Sequence, residues 1–145
     1  MIYKATETDI PAVAEMAMLL WEGNAAEELS EDFAKLIRSD KGAVFVATVQ
    51  NRVIGFAQVQ LRYDYVEGTA SSPVGYLEAV FIKQGYRKQG YARELLCHCE
   101  EWAKEKGCTE FASDCELTND QSLEFHLKVG FTEANRVICF TKALV

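Results

Sequence analysis

The stretch Leu77-Glu78-Ala79-Val80-Phe81-Ile82-Lys83-Gln84-Gly85-Tyr86-Arg87-Lys88-Gln89-Gly90-Tyr91-Ala92 decides the fold. An apolar run with one acidic residue, Val74–Ile82, reads as a buried strand. It passes into a short basic loop containing glycine, and the loop opens into a helical pattern. From Gly90 to Lys106 the apolar residues Ala92, Leu95, Leu96, Cys99, Trp102 and Ala103 recur at helical spacing. Gly107 stops the helix. A strand, a tight loop and a helix start aim several unpaired N–H groups and the positive end of a helix dipole at one small volume. Such a cradle suits an anion, most naturally a pyrophosphate. Gly90 lets the backbone approach it closely, Ala92 keeps the first turn small, and Arg87, Lys88 and Arg93 add positive charge.

Working outward, Ile2–Lys4 predicts a first strand. Thr8-Asp9-Ile10-Pro11 predicts a helix start, continued by Val13, Met16, Ala17 and Leu20. A second helix is expected from Ser30, as a cap before Phe33, Leu36 and Ile37. Ala43–Val49 and Val53–Tyr63 predict a hairpin turning at Gln50-Asn51-Arg52, followed by a polar loop over Asp64–Pro73. Phe111–Ser113 predicts a short strand, Asn119–Val129 a helix ended by Gly130-Phe131, and Val137–Lys142 a last strand. The order β-α-α-β-β-β-α-β-α-β predicts an α/β (α+β) domain over residues 1–145, with a mixed central β-sheet flanked by helices on both faces.

The chain has 145 residues, 49% hydrophobic and 26% charged, which suits one packed domain. A formal net charge of −7 argues against nucleic acid as a partner and is compatible with a cationic small molecule. The N-terminus shows no signal-peptide pattern, and no apolar stretch approaches the length of a membrane span. Five cysteines (Cys97, Cys99, Cys108, Cys115 and Cys139), without a C-x-x-C pair and with only His98 and His126, predict no metal site and a reducing, cytoplasmic setting.

Arg87-Lys88-Gln89-Gly90-Tyr91-Ala92 resembles the R/Q-x-x-G-x-G/A motif of the GNAT N-acetyltransferases, and the strand and helix around it lie where that family has them. The resemblance runs from Ile2 to Lys142. It implies a splayed sheet, acetyl-CoA as donor, pyrophosphate held by the backbone of residues 87–92, and a pantetheine arm pairing with Val80, Phe81 and Ile82. Asn119, Ser122, His126, Gly130 and Phe131 fall on the family's N-x-x-A-x-x-x-Y-x-x-x-G-F pattern, which adds Asn119 to the cofactor contacts. His126 stands where a tyrosine often protonates the departing thiolate; histidine can take that role at neutral pH, or water can.

A narrower likeness lies in Leu20-Trp21, in Arg62-Tyr63-Asp64-Tyr65-Val66-Glu67-Gly68 continuing through Ser71-Ser72-Pro73-Val74 to Leu77-Glu78, and in Ala112-Ser113-Asp114 followed by Gly130-Phe131 and Arg136-Val137-Ile138. Together these resemble the bacterial aminoglycoside 6′-N-acetyltransferases. The resemblance implies a polycationic aminoglycoside as substrate and a homodimer. Such a ligand needs carboxylates in a cleft and aromatic faces for its rings. Glu78 and Asp114 are the candidate carboxylates, Trp21 and Tyr65 the candidate walls, and Glu133, Asp64 and Glu67 the periphery. Direct transfer in a ternary complex is expected. Glu78 acts as base, directly or through water, and Asp114 positions the amine. A backbone N–H near Phe81 or Ile82 meets the developing oxyanion, and His126 or water protonates the thiolate. Acetylation of another amine, such as a polyamine or a peptide N-terminus, is the alternative. A non-catalytic acyl-CoA-binding domain is a third reading, and a covalent route through one of the cysteines finds no telling spacing.

Overall fold

The computed structural model describes residues 1–145. Five strands form one sheet in the order β1 (Ile2–Lys4), β2 (Gly42–Val49), β3 (Arg52–Arg62), β4 (Val74–Ile82) and β5 (Phe111–Ser113). The first four are antiparallel, and β5 joins β4 in parallel, so the sheet is mixed as expected. The helices are α1 (Ile10–Leu20), α2 (Ala26–Arg38), α3 (Tyr91–Glu105) and α4 (Asp120–Lys128).

Alternation along β2 builds two cores. Ala43, Phe45 and Ala47 face α3, where they meet Leu95, Leu96, Cys99 and Trp102. Val44 and Val46 face the other way, against Val13, Met16 and Ala17 of α1 and Leu29 and Phe33 of α2. The hairpin turn needs only Gln50 and Asn51, both at positive φ (50° and 63°), the geometry that a tight two-residue turn demands.

Two features splay the sheet where the cofactor was expected. The β3–β4 register slips between Gln58↔Ala79 and Val59↔Leu77, which leaves Glu78 as an unpaired bulge. The extra residue puts Leu77 in the core beneath α3 and Ala79 in the core beneath α1 and α2. The β5 pairing covers only Gly75, Tyr76 and Leu77, so β4 from Glu78 onward has no strand on that side.

Two expectations are corrected. Helix α2 begins at Ala26 rather than Ser30, with Ala25 as its N-cap residue. Glu27 and Glu28 in the first turn suit the dipole, and burial of Leu29 beside Phe33 extends the apolar stripe one turn earlier. Val137–Lys142 forms no strand: residues 132–145 lie outside helix and sheet, with Val137, Ile138 and Phe140 at 69%, 79% and 88% exposure. The segment has a strand-like pattern, but no strand of this chain lies beside it, and the outer edge of β5 is also unpaired. No helix is long and apolar enough to cross a membrane.

Candidate active site

The anion cradle forms at the start of α3. Gly90 caps the helix in the left-handed conformation (φ 90°, ψ 0°), and Lys88, also left-handed at φ 62°, turns the loop just before it. Neither a carbonyl nor a side chain accepts from the amides of residues 88 to 93; the first helical bond to this turn is donated by Glu94 to the Gly90 carbonyl at 3.1 Å. Such consecutive free amides at a helix N-terminus are the donor set a pyrophosphate requires. A Cβ built on Gly90 would meet nothing within 4 Å, so the space in front of the loop is open. The residues therefore fit an acyl-CoA.

The basic side chains of the loop do not all face that space. Arg87 Nε donates to the Ile82 carbonyl at 2.7 Å and its guanidinium lies over Phe81, which pins the loop to the end of β4. Arg93 Nη2 donates to the Lys128 carbonyl at 3.3 Å and ties the first turn of α3 to the end of α4.

Across that tie lies a cleft of about 1100 Å³ between the loop after β3, the edge of β5, α4 and residues 129–137. Its walls carry seven carboxylates (Asp64, Glu67, Glu100, Glu110, Asp114, Glu116 and Glu133) against two arginines, Arg62 and Arg136. Both arginines are engaged, Arg62 with Glu78 and Arg136 with Glu133. The cleft is thus a field of negative charge, the setting that draws a polycation.

Of the predicted substrate contacts, Tyr65, Asp114 and Glu133 line this cleft. Tyr65 is 76% exposed, and its hydroxyl accepts from the Gly68 amide at 3.4 Å. Trp21 does not join them; it lines a separate hollow of about 250 Å³ with Asn24, Asp32, Phe33 and Gln58. Glu78 stands behind Arg62 on the β4 bulge, with 20% side-chain exposure. Asn119 is the N-cap residue of α4, its side-chain oxygen accepting from the Ser122 amide at 3.1 Å.

His126 sits in the cleft wall against Phe125 and Phe131. Its Nδ1 lies 2.6 Å from the Ser122 carbonyl, and its Nε2 lies 2.8 Å from Ser113 Oγ. A carbonyl only accepts, so Nδ1 carries the hydrogen. In the neutral ring Nε2 then accepts from Ser113. In the imidazolium it donates to Ser113, whose hydroxyl also reaches the Leu77 carbonyl at 3.2 Å.

Three residues here were missed in the sequence. Ser113 stands between His126 and β4. Tyr76 donates its hydroxyl to Asp114 in a short bond, and burial, then that bond, pushes its phenol well above the ordinary tyrosine range. It stays a donor throughout neutral pH. Arg62 grips Glu78 with a fork and stacks on Tyr76. Tyr76 precedes Glu78 by two positions on one strand, and that closeness in sequence was the available signal. The contact of Arg62 depends on β3–β4 register, and nothing local announces it.

Two of the five thiols are withdrawn from solvent. Cys99 and Cys108 are buried, and burial pushes both upward in pKa.

The family model for the acetyltransferase (GNAT) family matches residues 10–131, and the chain belongs to that family. Its relatives narrow the class. It is 34% identical over 145 residues to an aminoglycoside N(6′)-acetyltransferase type 1 of Serratia marcescens, covering 99% of each chain. It is 37% identical over 144 residues to one of Stenotrophomonas maltophilia, covering 99% of this chain and 93% of that one. Among solved structures, AAC(6′)-Iy in complex with the bisubstrate analogue CoA-S-monomethyl-acetylneamine superposes with a TM-score of 0.95 at 33% identity, over 99% of this chain and 98% of that one. AAC(6′)-Ih from Acinetobacter baumannii gives 0.93 at 34% identity, over 100% and 99%.

Proposed function

We propose that residues 1–145 form one acetyltransferase unit that moves the acetyl group of acetyl-CoA to the 6′-amino group of aminoglycosides, a reaction that inactivates these antibiotics. The observation that carries this reading is the pairing of an open, amide-lined helix start with a cleft of seven carboxylates, joined through the Arg93–Lys128 tie. Relatives of near-equal length, named for this activity, support it.

Acetyl-CoA supplies an already activated acyl thioester, so the protein's part is chiefly placement and proton handling. The amides of residues 88–93 hold the pyrophosphate, and the uncovered edge of β4 at Val80, Phe81 and Ile82 receives the pantetheine arm. The Ile82 carbonyl is occupied by Arg87, which leaves the edge upstream of it for that pairing. Asp114, held by Tyr76, fixes the substrate ammonium. Glu78, aimed by its bulge, takes the proton that makes the amine nucleophilic. The leaving sulfur receives its proton from imidazolium His126 through the Ser113 hydroxyl, the group that Nε2 touches. Asn119 serves this reaction by starting α4, which carries His126.

The working form is a homodimer in the cytoplasm. The apolar, unpaired segment 132–145 and the bare edge of β5 favour docking of that segment on a second copy. The free thiols suit a reducing compartment.

A panel assay with acetyl-CoA tests the activity. Turnover of kanamycin or tobramycin is expected. Turnover confined to spermidine or to peptides would replace the aminoglycoside with another amine, and tight CoA binding without turnover would remove the enzyme reading.

A further inference from the structure

The carboxylate assigned to the substrate's amine already holds a cation. Arg62 Nε lies 3.0 Å from Glu78 Oε1, and Nη2 lies 2.9 Å from both Oε1 and Oε2. The guanidinium carbon is 3.5 Å from the centre of the Tyr76 ring, and the Tyr76 hydroxyl reaches Asp114. The two carboxylates of the site are thus joined by one stacked arginine and one phenol.

We propose that Arg62 is a built-in stand-in for a substrate ammonium, and that the polycation displaces it from Glu78 on binding. The inference rests on the aminoglycoside reading above and adds a competitor inside the site.

Three physical points carry it. Glu78 is mostly shielded, at 20% side-chain exposure, and an ionised carboxylate there is costly without a partner. A planar fork stacked on an aromatic ring meets that need when no ligand is bound. The fork donates twice to Oε1 and once to Oε2, so an incoming ammonium must compete with Arg62 for the same carboxylate oxygens. Glu78 meets the amine only once the fork opens. Arg62 has room to leave, since its side chain is 43% exposed and the cleft wall that follows it carries Asp64 and Glu67 as alternative carboxylates. The result is a site that stays charge-balanced at Glu78 until a cation arrives. A neutral sugar cannot release the arginine, so the device selects for charge.

Calorimetric titration of the full chain with kanamycin, in parallel with acetyl-CoA, tests this. Arg62→Gln is expected to bind kanamycin about tenfold tighter, the scale of one charge-assisted hydrogen bond, with acetyl-CoA affinity unchanged as a check on folding. It is also expected to lower KM for kanamycin more than it changes kcat. In the Glu78→Gln background the gain disappears, because there is no carboxylate left to compete for. Arg62→Lys, which keeps charge but not the fork, falls between wild type and Arg62→Gln and serves should the glutamine variant fail to fold. Unchanged or weaker kanamycin binding by Arg62→Gln overturns the proposal, as does a gain that persists with Glu78→Gln. Wild-type protein that binds acetyl-CoA but no kanamycin removes the aminoglycoside reading, and this proposal with it.

Discussion

Between Ala5 and Cys108 lie all 30 buried residues of the chain, whereas none of the residues from Thr109 to Val145 is buried. In the first region, β2 and β3 are covered on both faces and the helices supply apolar stripes to two separate cores. In the second, β5 pairs through only three residues, α4 buries no side chain, and the last fourteen residues join no element. The second region nevertheless supplies Ser113, Asp114, His126 and most of the acidic cleft wall. Stability and chemistry are therefore divided. A packed scaffold holds the bulge and the amide loop, and a thinly packed flank carries the acidic cleft wall. Local stability at a binding flank is expected to lie at the low end of the range found in a protein.

Substitutions on the two sides separate these roles. Phe56, fully buried between Phe33 and Phe81, belongs to the scaffold. Phe56→Ala is expected to cost about 3–5 kcal/mol in denaturant unfolding, whereas Phe140→Ala changes the unfolding of the isolated monomer by less than about 0.5 kcal/mol. Equal costs would erase the contrast. Next come Glu78→Gln and Asp114→Asn, each expected to lower turnover by about a hundredfold or more while acetyl-CoA affinity stays near normal. Rates near wild type for both would remove them from the chemistry. Deleting residues 132–145 is expected to convert dimer to monomer in light scattering at an unchanged helix signal; a truncated chain that still dimerises places the interface elsewhere.

Two smaller effects sharpen the picture at single positions. Gly90→Ala forces a Cβ into a left-handed conformation at a cost of about 1 kcal/mol. Because the space there is open, the larger consequence is a raised KM for acetyl-CoA with KM for the amine unmoved. Glu110 accepts from the Ser71 hydroxyl at 2.5 Å and from the Ala70 and Ser71 amides at 2.8 Å each, which anchors the loop before β4. The Ser71 hydroxyl, then the Ala70 amide, holds this carboxyl below its ordinary 4.5. A lowered carboxyl stabilises the fold above its unfolded pKa and loses that contribution as pH falls through the folded value. Hydrogen exchange at Ala70 and Ser71 is therefore expected to accelerate only below the usual carboxylate range, and Glu110→Gln abolishes that step.

The legible parts of the sequence were those where local pattern and tertiary environment agree. β4 runs from Val74 to Ile82, and α3 starts just after Gly90, because an apolar run and a left-handed glycine mean the same thing in any context. The start of α2 was misplaced because Ser30 is a good cap in isolation, while the packing of Leu29 requires an earlier start. Val137–Lys142 has the composition of a strand, but a strand needs a neighbour, and no strand of the sheet pairs with it. Trp21 was assigned to the substrate from likeness, and its position in the separate hollow beside Gln58 follows from the turn after α1, which no pattern specifies. Arg62 opens the stretch that carries the narrower likeness, but its pairing with Glu78 is chosen by the register that the bulge creates.

Mass spectrometry of the product tests the central claim most directly: an anion-binding helix start opposite an acidic cleft means acetyl transfer to one amine of a polycation. Incubation with acetyl-CoA and matched aminoglycosides bearing either an amino or a hydroxyl group at the 6′ position is expected to add a single acetyl group, at the 6′ nitrogen, to the amino compound alone. Acetylation elsewhere on the ring system, equal modification of the hydroxyl compound, or none of either would contradict it.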